Sequence, residues 1–192
     1  MKLFGYTFDK NGVPAAETAV EIKDEQFQTI YATVSDELGY YEMEVAAARY
    51  PFVIAVKEYG IHYLEYWCQN IDLRQEQRLD IRMDMLEVYG LHAFRVKGGR
   101  NALMVYFRPM SLAKYLLAEA DVAPEIKKIR ATLDGEAVQV LVTNQVKESI
   151  GESCLTAYLV QIENPRGTQW NRLDVEIWDQ EDHYGAATIF GI

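Results

Sequence analysis

One short aromatic stretch contains the densest group of side chains that could bind a ligand. These candidate residues are Tyr59, His62, Tyr63, Glu65 and Trp67. On a β-strand, Tyr63, Glu65 and Trp67 would share one face. Two aromatic rings about 13 Å apart, with a carboxylate between them, could stack on sugar rings and accept hydroxyl hydrogen bonds. The pattern therefore indicates a carbohydrate or protein ligand, although core or inter-domain packing is the commoner role of strand aromatics.

A second candidate for ligand contact is Trp178, near the end of the chain. It lies on the polar side of an alternating strand, beside Asp174, Glu176 and Asp179. An outward-facing tryptophan either belongs to a contact surface or is covered by another part of the protein. Of these two interpretations, we favour cover by the other domain.

The residue types used in catalysis and metal binding do not form a recognisable pattern. The histidines, His62, His92 and His183, are not spaced for a metal site within one element. The acidic run 179–185 lacks the calcium ligands of an EF-hand loop at its fifth and last positions. No serine lies in a Gly-x-Ser-x-Gly motif. We therefore expect no catalytic residues, no metal and no cofactor, and keep a metal-dependent enzyme that uses histidines and carboxylates as the alternative.

Composition and charge indicate a globular protein without nucleic-acid partners. Hydrophobic residues make up 49% and charged residues 25% of the 192 residues. The net charge is −10 and the basic residues are scattered, which argues against nucleic acid and anionic membranes. Without an apolar run of about 18 residues, we expect no membrane insertion. The first residues do not resemble a signal peptide, so the sequence predicts a cytoplasmic protein, or a secreted one whose leader has been removed.

The two cysteines, Cys68 and Cys154, lie far apart in the sequence. They could form one disulfide, but we favour two buried free thiols, because free cysteine is among the most buried residue types. Neither cysteine belongs to a Cys-x-x-Cys pair or to a Cys/His spacing typical of zinc sites.

Alternation of apolar and polar residues, interrupted by turn residues, predicts an all-β fold. The predicted strands are 3–8, 19–22, 29–34, 40–45, 52–56, 61–67, 77–85, 91–96, 103–108, 129–133, 137–143, 155–162, 173–178 and 186–190. Asn11-Gly12, Gly98-Gly99 and Asp134-Gly135 are predicted turns. One short helix is expected within residues 111–120, with Ser111 as its cap.

The turn and core residues of the first part carry a family resemblance. They are Gly5, Asp9, Gly12, Pro14, Ala19, Val20, Thr33, Asp36, Gly39, Tyr41, Tyr50, Val53, Val56, Tyr59 and Gly60. This set resembles the carboxypeptidase regulatory-like domain, a transthyretin-like (prealbumin-like) β-sandwich. The resemblance implies a non-catalytic accessory or interaction module. The segment 172–190 is similar to the last hairpin of bacterial immunoglobulin-like repeats.

Together, these patterns predict two β-sandwich domains. Residues 1–88 are expected to form the carboxypeptidase regulatory-like sandwich, and residues 89–192 an immunoglobulin-like sandwich with one short helix. The expected role is that of a non-catalytic binding or assembly protein, with a protein or a carbohydrate as its partner. Edge strands could also pair copies of the chain, so a structural spacer or homo-oligomer subunit is a further alternative.

Overall fold

The computed structural model describes residues 1–98, 101–151, 153–165, 167 and 169–191, and it confirms the all-β class. The strands are β1 (Lys2–Asp9), β2 (Ala19–Lys23), β3 (Thr29–Val34), β4 (Tyr40–Glu44), β5 (Arg49–Val56), β6 (Tyr66–Asp72), β7 (Gln77–Arg78), β8 (Ile81–Met83), β9 (Leu86–Phe94), β10 (Ala102–Ser111), β11 (Ile126–Leu133), β12 (Glu136–Val138), β13 (Val140–Ile150), β14 (Ser153–Glu163), β15 (Arg172–Asp179) and β16 (Tyr184–Phe190). The short helix, α1, spans Leu112–Leu116. Part of the turn expected at Gly98-Gly99 lies outside the described residues.

In the described part of the chain, the strands form one large central sheet and two smaller sheets. The central sheet has eight strands in the order β12-β11-β15-β16-β6-β5-β2-β3. One flanking sheet has the order β4-β1-β7, with β8 also paired to β1, and the other has the order β13-β14-β10-β9. Each flanking sheet packs on the central sheet through its own hydrophobic core. The result is a layered β-sandwich.

The two hydrophobic cores lie on opposite faces of the central sheet. The first core contains residues such as Leu3, Tyr41 and Cys68, and the second contains residues such as Val105, Tyr158 and Val175. Successive side chains of a strand point to opposite faces. In β16 every residue is buried, because alternate residues of this strand contribute to different cores.

A parallel pair, β6 with β16, joins the two halves of the sequence in the central sheet. Ala187 lies opposite Trp67, and Thr188 lies opposite Cys68. The predicted boundary between residues 88 and 89 falls within β9. Strands from both sides of this boundary therefore share one sheet, and the division into domains 1–88 and 89–192 stays a prediction about which families the two segments resemble.

Two predicted strands differ from those observed. The segment 61–67 was expected to be a strand, but β6 begins only at Tyr66. Glu58 and Gly60 have positive φ values of 44° and 73°, so the chain turns there instead of extending. The predicted strand 77–85 is divided into β7 and β8, each of which pairs in parallel with β1.

Between β7 and β8, Leu79 holds the chain close to β1. At this residue the backbone passes close to Gly5 of β1, where an added Cβ atom would lie 2.2 Å from the Leu79 carbonyl oxygen. Leu79 donates its backbone N–H to Phe4 over 2.9 Å, and its carbonyl accepts from the Tyr41 hydroxyl over 2.5 Å. Its side chain is buried in the first core, as the alternating pattern predicted.

The cysteines do not form a disulfide in the structure. Cys68 is buried in the first core, and burial raises the pKa of its thiol far above the usual range. Cys154 is exposed, so the predicted burial is confirmed for Cys68 and wrong for Cys154. The β13–β14 hairpin, which carries Cys154, lies in a flanking sheet rather than in the central one.

Within the described residues, no helix is long and apolar enough to cross a membrane.

Candidate functional site

A cavity of about 290 Å³ lies where β9 and β10 meet the start of β6. We call it the Trp67 pocket. The side chains important for its chemistry are Tyr59, Glu65, Trp67, Glu87, Tyr89 and Arg108. They come from the segment before β6 and from strands β6, β9 and β10, so distant parts of the sequence build this site. It combines aromatic rings, acidic side chains and one guanidinium group.

The alternation of β9 directs an acidic residue into this pocket. Leu86 and Val88 enter the second core, whereas Glu87 and Tyr89 line the pocket. The position of Leu86 depends on Gly185 in β16, where an added Cβ atom would lie 2.7 Å from the Leu86 carbonyl oxygen. Glycine at this position therefore lets β9 approach the central sheet closely.

The pairing of β9 with β10 supplies the opposite wall. Met110 lies opposite Glu87, and Arg108 lies opposite Tyr89. The register of this pair shifts between Tyr106 and Arg108, which marks a β-bulge beside the pocket. Bulges often lie next to binding sites, because they change the direction in which a side chain points.

Trp67 forms the aromatic wall and is only 9% exposed. Its ring stacks on Phe27 with a centroid distance of 5.5 Å. Phe52 and Tyr89 contact the same ring in edge-to-face geometry, at 6.1 Å and 5.3 Å. These contacts fix the indole in one orientation and place its N–H beside Glu87. Trp67 is therefore both a core residue and part of the pocket surface.

Glu87 is the unusual residue of the pocket, because its carboxyl group is only half satisfied. Its side chain is 2% exposed. Oε1 accepts a hydrogen bond of 2.9 Å from Trp67 Nε1, whereas Oε2 has no hydrogen-bond partner among the described residues. Burial raises the pKa of Glu87 to about 7, the negative charge of Glu65 adds to this effect, and the hydrogen bond from Trp67 and the nearby backbone N–H of Glu65 oppose it.

Glu65 is the second acid of the pocket. Burial raises its pKa, and the positive charge of Lys23 opposes that effect. Lys23 is itself held by Glu21, with 2.6 Å between the ammonium nitrogen and the carboxylate oxygen. The pocket therefore places two acids in surroundings that disfavour their negative charge, while Lys23, which favours the ionised form of Glu65, is also engaged by Glu21.

Two other charged groups of the pocket, Arg108 and Asp121, have partners. Arg108 lies 3.2 Å from Glu148 and 5.4 Å from the Tyr89 ring centroid. Asp121 receives hydrogen bonds from Lys147 and Thr156, at 2.9 Å and 2.5 Å. Although burial alone would raise it, these hydrogen bonds hold the pKa of Asp121 well below its usual range. Glu87 thus differs from Arg108 and Asp121 in having a buried oxygen without a partner among the described residues.

The structure brings three of the six predicted ligand-binding residues together in the pocket, namely Tyr59, Glu65 and Trp67. Tyr63 is half-buried against the first core, and His62 is exposed. The expected strand face shared by residues 63, 65 and 67 is wrong, because β6 begins after Glu65. Tyr59 and Glu65 are instead brought close to Trp67 by the segment before β6, which is not part of that strand.

Trp178, the sixth predicted residue, lies away from the Trp67 pocket. It is half-buried and packs on the first core and on Tyr184, with a ring centroid distance of 5.3 Å. The Lys128 ammonium lies 4.5 Å from its ring centroid, and Arg130 lies at 5.5 Å. These neighbours cover much of the indole surface.

The sequence patterns missed Glu87 and Tyr89, which complete the pocket. The only sequence signal is the position of Glu87 between the apolar residues Leu86 and Val88, and an acid there is expected to be exposed unless it is paired. Nothing in the sequence, however, indicates that Trp67 would be its hydrogen-bond partner, since the two residues lie on strands of different sheets.

A second cavity, of about 340 Å³, is less suited to binding a ligand. Its charged lining residues include Arg130, Asp174 and Glu176. Arg130 is paired with Glu176, and Arg172 is 2.7 Å from Asp174. Because these groups satisfy one another, a ligand would have to displace existing hydrogen bonds.

The predicted metal alternative depends on whether histidines and carboxylates converge. His183 contacts Asp179 over 2.9 Å within the β15–β16 turn. His92 lies in β9 and stacks on Phe94 with a centroid distance of 5.8 Å. Among the described residues, no group of three or more His, Cys, Asp or Glu side chains could hold a metal ion.

Comparisons with known proteins found distant structural likeness only. No protein-family model and no curated protein match the sequence. Solved structures with a similar course of the chain include a DUF3823 family protein from Bacteroides ovatus, with 12% identity, 98% of each chain covered and a TM-score of 0.33. BcpA, the major pilin subunit of Bacillus cereus, is 9% identical over 98% of this chain and 67% of its own, with a TM-score of 0.34. Likeness at this level carries no argument about function.

Proposed function

We propose that this chain is a non-catalytic binding protein and that the Trp67 pocket is its ligand site. The observation that carries the proposal is the Oε2 atom of Glu87, a buried atom without a hydrogen-bond partner among the described residues, in a side chain that lines a cavity with aromatic walls. Buried polar atoms without partners are rare in folded proteins, and each costs free energy. A ligand that donates a hydrogen bond to this atom removes that cost.

A segment of another protein is the ligand that these surroundings favour. Tyr59, at the pocket, is 51% exposed, and it is close enough to Tyr115 to be influenced by its charge. Ile61, Leu116 and Leu117, which neighbour these two tyrosines in the sequence, are also exposed. Grouped exposed apolar side chains are typical of protein interfaces. A carbohydrate is the alternative, because aromatic rings and carboxylates also suit sugars.

The most direct experiment screens the purified protein against arrays of peptides and of glycans. We expect peptide binding that Tyr59→Ala and Glu87→Gln each weaken by about tenfold or more. Phe94→Ala is the matched control, since Phe94 is an exposed aromatic residue outside the pocket. Binding to neither array, or equal loss in the control, would overturn the proposal. Binding to glycans alone would replace the protein ligand by a carbohydrate.

Assembly of identical copies is a second candidate function, favoured by the exposed edge of β13. This strand lies at the end of its sheet and exposes Leu141, Val142 and Val146. A long edge strand with exposed apolar residues can pair with a second chain. Light scattering tests it: self-association that Val142→Lys abolishes would support assembly, and a monomer at high concentration would exclude it.

We also propose that residues 1–88 form a carboxypeptidase regulatory-like unit and residues 89–192 an immunoglobulin-like unit. Support comes from turns built on Asp36, whose Oδ1 accepts from the backbone N–H groups of Leu38 and Tyr40 at 2.9 Å and 2.8 Å. Homologous sequences that end near residue 88 would support this division.

A further inference from the structure

We propose that the Trp67 pocket recognises a primary ammonium group at the end of an apolar chain, namely the lysine side chain of a partner polypeptide. The inference depends on the proposed function of the same pocket and names the chemical group that it binds. The geometry behind it is a buried carboxylate with one free oxygen, a second acid nearby and aromatic walls around both.

The Oε2 atom of Glu87 can accept a hydrogen bond from a donor that is not part of the described chain. Its Oε1 atom is occupied by the Trp67 indole, and its Oε2 atom is free. A carboxylate forms its strongest hydrogen bonds with cationic donors. An anionic ligand is disfavoured, because both Glu87 and Glu65 line the pocket and their carboxylates would repel it.

The cations already near the pocket do not neutralise Glu87. The guanidinium of Arg108 contacts Glu148 and the Tyr106 hydroxyl, which accepts from its Nε over 3.1 Å. Lys147 is paired with Asp121 over 2.9 Å. Burial and the charge of Glu65 raise the pKa of Glu87, and no cationic side chain contributes to its shift. The pocket therefore has an acidic end that is open to an added positive charge.

Lysine fits this site better than arginine. Arginine binds carboxylates with two parallel hydrogen bonds, which need both oxygens of one carboxylate. Glu87 offers one oxygen only, because its other oxygen holds the indole N–H. An ammonium group instead has three donors that can point toward different acceptors, so it can serve Glu87 and Glu65 together.

The size and walls of the pocket also suit a single lysine side chain. Its volume of about 290 Å³ is at the lower end of the range typical of small-molecule sites, roughly 300–1,000 Å³. Trp67 and Tyr59 provide apolar surface along which the methylene groups of lysine can pack while the charged end reaches the acids. The exposed apolar residues near Tyr59 would then contact the rest of the partner chain.

Protonation of Glu87 makes this binding depend on pH. Its pKa of about 7 means that the carboxyl group is largely neutral in mild acid and ionised above neutrality. A lysine ammonium stays protonated up to about pH 10. The other charged or titratable side chains that line the pocket are Tyr59, Glu65, Tyr89, Arg108 and Asp121. We therefore expect affinity for ammonium to increase as the pH rises through 7.

The test compares peptides that differ only in the ammonium group. The probes are a short alanine peptide with one central lysine and the same peptide with norleucine, which has the apolar chain without the charge. At about pH 8, we expect the lysine peptide to bind about tenfold or more tightly. Glu87→Gln should abolish this preference while keeping an acceptor for Trp67, and circular dichroism checks its folding. Glu181→Gln, which changes an exposed acid in the β15–β16 turn, is the matched control and should have no effect.

The outcomes separate this inference from the proposed function. Equal affinity for both peptides, with Tyr59→Ala still reducing it, would leave the pocket as a binding site and overturn ammonium recognition. Absence of binding by either peptide, together with blank peptide and glycan arrays, would overturn both. A third probe, the free diamine cadaverine, identifies the source of the amine: tighter binding of cadaverine than of the lysine peptide would overturn the polypeptide partner.

Discussion

The substitution Glu87→Gln should change how the stability of the protein depends on pH. Burial raises the pKa of Glu87 from 4.5 to about 7 in the folded state. A pKa difference of one corresponds to about 1.4 kcal/mol, so the difference of about 2.5 corresponds to about 3 kcal/mol. Because only 2% of the side chain is exposed, solvent screening reduces this value little.

The sign follows from which state binds the proton more tightly. Below the unfolded-state pKa of 4.5, both states are protonated and Glu87 has no pH-dependent effect. Between that value and about 7, the unfolded state releases its proton first, so the wild-type protein loses stability as the pH rises. Glutamine does not titrate. Relative to wild type, Glu87→Gln should therefore gain about 3 kcal/mol between about pH 4 and pH 8.

Urea denaturation followed by circular dichroism measures this difference at a series of pH values. Titrating groups that do not interact with Glu87 contribute equally in both proteins, so their contributions cancel when the free energies of unfolding are subtracted. Glu181→Gln is again the control, since its carboxylate is exposed and should give a much smaller change. A wild-type minus variant difference that stays constant from about pH 4 to pH 8 would refute the burial of an uncompensated acid at position 87.

Four further predictions concern the cores and the sheet. Iodoacetamide should modify exposed Cys154 in the folded protein and buried Cys68 only after unfolding; equal rates in mass spectrometry would contradict their placement. Trp67→Ala should lower the free energy of unfolding by about 3–5 kcal/mol, because it removes a large buried ring, and a loss under about 1 kcal/mol in urea denaturation would argue against this packing. Tyr66→Phe should cost roughly 1–3 kcal/mol by leaving Thr188, 2.6 Å from the hydroxyl, without this partner; an unchanged urea midpoint would speak against that buried contact. Calorimetry should show one unfolding transition, since both halves of the chain share the central sheet, and two separated transitions would argue for independent domains.

Local patterns in the sequence predicted most strands, because alternation reports which residues face a core. The hairpin at Asp134-Gly135 and the closing hairpin of β15 and β16 are examples, and the structure has both. Ser111 was correctly expected as the helix cap, since its hydroxyl accepts from the Lys114 backbone N–H. These features depend on residues that are close in the sequence, where propensity and turn chemistry act directly.

The pairing of distant strands could not be predicted in the same way. The parallel contact of β6 with β16 joins residues such as Cys68 and Thr188, which lie far apart in the sequence. Several apolar strands could have paired with β6 equally well on the basis of pattern alone. The Trp67 pocket depends on such long-range contacts, because Glu87 meets the indole only after β9 has packed beside the central sheet.

The loop before β6 explains why the predicted aromatic surface was only partly correct. The positive φ values of Glu58 and Gly60 turn the chain, which separates Tyr63 from the face of Trp67. Tyr59 then reaches the pocket in its place. Residue types identified the right region, whereas backbone conformation decided which side chains face the cavity.

The resonance of the Trp67 indole N–H tests the binding role of the pocket most directly, because this group donates to Glu87. Nitrogen–proton NMR spectra, assigned with Trp170→Phe and Trp178→Phe variants, can follow each indole while the lysine peptide is added at about pH 8. We predict that the Trp67 signal shifts with saturation and that the Trp178 signal does not. An unchanged Trp67 signal, or a shift confined to Trp178, would contradict the assignment of this pocket as the ligand site.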